Sequence, residues 1–435
     1  MRARELLRRL VRIEEGEGRA VFWSFVYFFF LLSSYYTIRP LRDALGLAGG
    51  ESQLTWLYMG TLLGTLLANP VLGALVSRFP RRVFVPIVYH VLALNLVVFW
   101  ALLYSLAGER QLQVARVFFV WVSVFNLFAV SVFWGLMADL FRSEQGKRLF
   151  GFIGMGGTLG AVVGAAVTVT LARVLGPVQL LLVAAALMEG AIECVRRLSR
   201  LPRAGSVATE GDAEAPPGRG IWSGIRLVAT SWYLIGISAF LLLYSISSTL
   251  LYFEQARIVR AAFHDSAERT AFFAGVDLCV NLLTLFVQCF LTGRVLAFLG
   301  VGATLAALPA VTAGGLGALA LSPAATTLFG VQVIRRSAEF ALVRPAREVL
   351  FTVVSREEKY TSKNLIDTFV YRTGDVLGAL LDRGLSVLGL GAAGIAAAFV
   401  PVAAAWAVLA AALGRRQAAM SPGATPGGPT RARLR

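Results

Sequence analysis

The chain has 435 residues, of which 57% are apolar and 15% charged, and its mean hydropathy is +0.71. Water-soluble domains hold about a quarter charged residues, so composition excludes a soluble enzyme or an appended nucleic-acid-binding module, and the formal charge of +16 reports membrane topology. Two histidines and three cysteines stand too far apart for a metal site or a disulfide framework, and no cofactor is expected.

The first element, residues 1–20, is basic and amphipathic and has no small-residue cleavage site, so it reads as a cytoplasmic collar and not as a signal peptide. Apolar runs of about 20 residues, the length a helix needs to cross roughly 30 Å of hydrocarbon, follow at 21–38, 54–76, 83–107, 112–140, 150–172 and 176–194. They form a six-helix bundle over residues 21–195. Residues 196–225 are rich in Pro, Gly and Ala and too polar to pack, so they are read as a cytoplasmic linker. Six further runs, at 228–253, 269–292, 295–321, 324–350, 364–387 and 391–413, build a second bundle over 226–414, and residues 415–435 read as a disordered basic tail. With both termini cytoplasmic, about 27 of the Lys and Arg residues fall on that side and about 9 on the other, as the positive-inside rule requires. The expected fold is therefore an all-α membrane protein of about twelve spans. Richness in Ala, Arg and Gly suggests a bacterial inner membrane as its location.

The halves read as repeats. Ser33-Ser34 recur as Ser247-Ser248, Gly60 as Gly275, Arg78 as Arg294, Lys147 as Lys359 and Gly160-Ala161 as Gly378-Ala379, all within a narrow band of offsets from 212 to 218. Duplicated six-helix halves around a midplane cavity are the architecture of major-facilitator carriers.

A charge at bilayer depth costs a few kcal/mol, so such residues face a cavity or a partner and are functional candidates. Span 1 ends with Arg39, Arg42 and Asp43; span 4 ends with Asp139; span 7 ends with Glu254; Asp277 lies inside span 8. Span 10 holds Arg335, Arg336, Glu339, Arg344, Arg347 and Glu348, and span 11 holds Asp367, Arg372 and Asp375. The i, i+4 spacing pairs Arg335 with Glu339 and Arg344 with Glu348. Arg42 and Arg347 each stand beside a proline-disturbed turn, where freed backbone groups and a cavity are expected together. One guanidinium from each half would grip an anionic small molecule bidentately, and Arg39 and Arg372 are placed with them. Asp277, Asp375 and Asp139 are candidates for coupling. The loops after spans 4 and 10, with Lys147 and Lys359, read as paired gates or as lipid-headgroup contacts. The segment GFIGMGG from Gly151 follows no strand, so it suits close helix packing and not nucleotide binding.

Tyr36-Thr37-Ile38 with Arg42-Asp43, Phe133-Trp134-Gly135, Lys147-Arg148 with Phe150 and Phe152-Ile153-Gly154, Glu268, Gly275, Pro345-Ala346-Arg347-Glu348, Ile366-Asp367 and Gly374 together resemble the ATP/ADP carrier family of plastids and intracellular bacteria. The resemblance covers almost the whole chain. It implies a fold of major-facilitator type and exchange of adenine nucleotides, with Arg42 and Arg347 at positions where the family has lysines and Tyr36 in the motif that precedes the first of them. The two family glutamates have no clean counterpart: the run ahead of Phe133 offers Asn126, and in span 7 Glu254 is the nearest acid. The expected function is exchange of an organic anion, a nucleotide or another phosphorylated metabolite, without a cofactor. A proton-coupled permease, marked by Asp277, and a lipid-handling or lipid-sensing protein are the alternatives.

Overall fold

The computed structural model describes residues 14, 16–78, 81–141, 143–201, 221–354, 362–363, 365–390 and 392–420. In the first half these build α1 (Gly18–Gly46), α2 (Glu51–Arg78), α3 (Arg81–Ser105), α4 (Gly108–Leu140), α5 (Ser143–Leu171) and α6 (Leu180–Arg200). The second half holds a short α7 (Ile221–Thr230), then α8 (Trp232–Ala262), α9 (Ser266–Phe290), α10 (Thr292–Leu321), α11 (Ala325–Ala338), α12 (Arg344–Leu350), α13 (Tyr371–Val387) and α14 (Ala392–Met420). A π-helical turn over Glu339–Val343 joins α11 to α12, and a second over Ile366–Val370 leads into α13.

Each of the twelve expected spans corresponds to a helix or to one interrupted helical segment. Among the described residues, nine helical segments are long and apolar enough to cross a membrane. The remaining spans are α2, the α11–α12 segment and the segment ending in α13; the last two carry the π-turns and the densest charge. The protein is thus an all-α integral membrane protein. Two boundaries differ from the sequence reading. Helix α7 occupies residues assigned to the linker and the start of the seventh span, and it is set off from α8 by Ser231, whose hydroxyl accepts from the Leu234 N–H at 3.4 Å. Helix α14 continues to Met420, through a stretch assigned to the tail. Residues 1–13, 202–220 and 421–435 lie outside the described residues.

Each half has its own packed core, with Tyr27, Phe28, Phe118, Phe125 and Phe133 in the first and Phe240, Phe253, Phe351 and Trp406 in the second. Between helices in lipid the hydrophobic effect supplies little attraction, so close packing through small residues has to carry association. That is what α5 and α13 provide. Side chains added at Gly156, Gly160 and Gly164 of α5 would run into the carbonyls of Phe25, Phe29 and Ser33 on α1. Gly374 and Gly378 of α13 lie in the same way against Leu242 and Ile246 on α8. The glycines are offset by 218 residues and the facing carbonyls by 217, so the sequence repeat is also a repeat of packing. The GFIGMGG segment supplies the first glycine of this seam, as expected of small residues at a helix interface.

The halves meet through α1 and α5 against α9, and through α2 against α8 and α13. Ala44, Leu47, Leu54, Leu57 and Phe119 of the first half are part of the second half's core. All lie toward the end of the bundle remote from the chain termini. In the α1–α2 turn there, Gly50 has a φ of +89°, and a Cβ at this position would crowd the Arg260 guanidinium of the other half. These contacts close the remote end.

Candidate functional site

The charges that link the halves gather at mid-depth and toward the closed end. Arg39 on α1 pairs with Asp277 on α9 at 3.3 Å, and Arg336 on α11 reaches the same carboxylate oxygen at 2.6 Å. Asp277 is 3% exposed in its side chain. Three helices and both halves thus converge on one carboxylate, leaving one guanidinium in excess. Arg39 also lies over the ring of Tyr36, 5.6 Å from its centroid. One turn further along α1, Tyr252 of α8 donates to Asp43 at 3.2 Å and makes a second link across the halves. Tyr58 of α2 packs on the rings of Tyr252 and Phe253.

A guanidinium from each half therefore does meet in one place, but the pair is Arg39 and Arg336. The structure does not bring Arg42 and Arg347 together. Arg42 lies four residues before the remote end of α1 and Arg347 three residues before the opposite end of α12, so they are separated by most of the membrane thickness at about 1.5 Å of rise per residue. Arg42 is used within its own half: Nε donates to the Phe119 carbonyl at 3.1 Å, Nη1 to Asp43 at 3.3 Å and Nη2 to Ser123 at 3.4 Å, with the guanidinium 3.8 Å from the Phe119 ring centroid. Arg347 faces Asp367 at 3.5 Å. Its Nε is buried without a partner, at a recess lined by Phe240, Tyr244, Glu339 and Arg344.

The expected i, i+4 pairs of span 10 do not form, because their acids have other partners. A π-turn closes i→i+5 hydrogen bonds and so brings residues five apart onto one face. Glu339 accordingly pairs with Arg344, five residues on, at 3.1 Å. Glu348 is taken by Lys363 at 2.6 Å. Arg335, deprived of its local acid, is 2% exposed and donates to Thr312 at 3.1 Å and to Ser247 and Ser248 at 3.4 Å.

The other candidates are spread along the second half. Asp375 on α13 accepts from Ser245 at 2.6 Å and Thr249 at 3.4 Å, and pairs with Arg372 at 3.0 Å. Glu254 is buried and pairs with Arg257 at 3.0 Å; Arg257 also reaches Asp382 at 2.6 Å, which ties α8 to α13. Asn126 is half-buried on α4, one turn beyond Ser123, and Asp139 is exposed near the end of that helix. The Lys147 side chain and all of Lys359 lie outside the described residues. Sequence reasoning passed over Arg257, Asp382, Ser123 and Thr312. The Glu254–Arg257 spacing of three was a usable signal for the first of these, whereas the two hydroxyls carry none.

The sequence matches no family model and no curated protein. Among solved structures, a mutant form of the nucleoside transporter NupG superposes with a TM-score of 0.63 over 92% of this chain and 99% of its own, at 11% identity. A POT family transporter in complex with 5-aminolevulinic acid gives 0.63 over 92% and 96% at 10% identity. An auto-inhibited POT family peptide transporter gives 0.62 over 95% and 99% at 13% identity. Likeness at such identities is likeness of fold, here the major-facilitator type with its two six-helix halves, and it does not extend to the ATP/ADP carrier family.

Proposed function

We propose that the protein is a secondary transporter that carries a small organic anion across the membrane by alternating access. The observation that supports this reading best is the convergence of Arg39 and Arg336, from opposite halves, on the single carboxylate of Asp277. Opening the closed end has to separate Arg39 from Asp277. An anion entering from the open end can take the place of that carboxylate on Arg39 and neutralise the guanidinium in excess. Without cargo the reorienting protein would carry uncompensated buried charge, which favours exchange over one-way transport. Tyr36 lies beside Arg39 and completes the contact surface. Arg347 at its recess would meet the anion near the open end. Resemblance to the ATP/ADP carriers makes a nucleotide or another phosphorylated metabolite the first candidate cargo. The excess of Lys and Arg in the loops supports an inner-membrane orientation with both termini in the cytoplasm.

A second reading rests on the same carboxylate. Protonation of Asp277 would release Arg39, so a proton could do what the anion does, and the protein would be a proton-coupled permease. Uptake into proteoliposomes separates the two. Labelled ATP, AMP, glycerol 3-phosphate and succinate are offered with and without unlabelled anion inside. Uptake that requires internal anion supports exchange. Uptake into empty vesicles driven by a pH gradient supports proton coupling. If no anion is taken up under either condition and none binds, the proposal is wrong.

A further inference from the structure

Arg335 is the tenth residue after the start of a 26-residue helical segment, Ala325–Leu350, so it lies near mid-membrane, and it is 2% exposed. A buried charge of this kind needs an anionic partner, because desolvation costs several kcal/mol that hydroxyl groups recover only in part. None of its bonding partners is a carboxylate. Thr312, Ser247 and Ser248 accept from three of its five N–H groups at 3.1–3.4 Å, longer than the roughly 2.7–2.9 Å of a charge-assisted bond. Thr312 and Ser247 spend their own hydrogens on the carbonyls of Leu308 and Tyr244, both at 2.8 Å. Glu339, the acid one turn away, is turned to Arg344 by the π-turn. The cationic side chain is thus built in, bonded only to neutral acceptors, with the neighbouring carboxylate, Glu339, already paired to Arg344.

It is also approachable from the right side. Ser247 and Thr312 are fully buried, but Ser248 is half-buried. Ser248 and Tyr252 are four apart on α8 and share a face, and Tyr252 bonds Asp43 of the first half. The Ser248 side of the guanidinium therefore faces the space between the halves, beside Arg336 on the next residue.

We infer that Arg335 is a substrate-binding residue and that the cargo brings two negative charges into the site. One charge answers Arg335, and the other answers the guanidinium left in excess by Arg39 and Arg336 on Asp277. This rests on the anion-carrier reading and deepens it: a phosphate monoester or a dicarboxylate fits, and a monoanion does not.

The test compares probes that differ by one charge: glycerol 3-phosphate with its methyl diester, and succinate with succinamate, each competing for binding to the purified full-length protein at pH 7.5. The wild type should bind the dianion of at least one pair about ten- to a hundredfold more tightly than its monoanion. The phosphate and carboxylate pairs tell the two chemistries apart. Arg335→Gln should bring the dianion down to the level of the monoanion while the monoanion still binds, and Arg335→Lys should retain most of the preference. The inference falls if the wild type binds both members of each pair equally, or if Arg335→Gln keeps the preference. The wild-type comparison decides even if Arg335→Gln does not fold. Failure of every anion to bind is a different result, which removes the carrier reading itself.

Discussion

Replacing Arg39 and replacing Asp277 should have opposite emphases, because the two residues share one contact but differ in what they leave behind. In Arg39→Gln the Asp277 carboxylate keeps Arg336 at 2.6 Å, and only the 3.3 Å link between the halves is lost. That link, with Arg39 21% exposed, contributes about 1–2 kcal/mol, a factor of about 5–30 in the balance between closed and open remote ends. In Asp277→Asn two guanidiniums lose the carboxylate they share, and breaking a buried pair from one side costs about 3–5 kcal/mol. The expectation is a modest loss of thermal stability but a marked opening for Arg39→Gln, and a large loss of stability for Asp277→Asn. Single-molecule FRET between dyes on cysteines at Ala48 and His264, both exposed at the remote end, reads the opening once Cys194, Cys279 and Cys289 have been replaced. Melting curves read the stability. Equal stability losses with unchanged distance distributions would show that the Arg39–Asp277 contact does not hold the halves together.

Leucine at Gly160 or Gly378 should force α1 from α5 or α8 from α13, because the new side chain meets backbone carbonyls; a drop in melting temperature is expected, while leucine at Gly151, which faces open space, should leave it unchanged. At the start of α1 the Glu17 carboxyl is pushed up by burial, but the Glu14 N–H, Gln145 and Arg148 outweigh this and hold it below the ordinary glutamate value of 4.5. Its contribution to stability is therefore complete above that value and lost as the pH falls through the lowered one, so the difference in melting temperature between wild type and Glu17→Gln should shrink between pH 7 and pH 3. Reporter fusions at each terminus should both report the cytoplasm; an external terminus would overturn the orientation drawn from the loop charges.

The spans were legible because each is an apolar run of the right length, and the repeat was legible because Gly160 and Gly378 leave a mark that packing cannot erase. The ion pairs were not. Arg335 and Glu339 are one regular turn apart, but Glu339 opens the π-turn, whose five-residue spacing gives it Arg344 instead, and nothing in the sequence announces that turn. Asp277 pairs with no cation of its own span; its partners come from α1 and α11, a distance that no local pattern encodes. Arg42 was singled out by the proline beside it, yet its guanidinium is spent on the Phe119 carbonyl, and the neighbouring Arg39, one turn earlier, makes the contact across the halves. The paired serines carry the same lesson. Ser33 and Ser34 donate to carbonyls of Gly160 and Ala184, whereas one of their repeats in the second half, Ser247, turns an oxygen toward Arg335.

The π-turns have a mechanical consequence. Each is, in effect, one residue more than a regular helix would use, a local slack that can be taken up by sliding the turn along the chain or drawing it back into α-helix. Spans 4 and 5 of the first half, α4 and α5, run without such slack, and α5 is zipped to α1 by three glycines in file. Their counterparts in the second half are both segmented, in the part of the helix nearer the chain termini. The two halves thus differ as a strut differs from a jointed arm. In a cycle that opened one end and closed the other, the first half would then move as a body and the second would bend at Glu339–Val343 and Ile366–Val370.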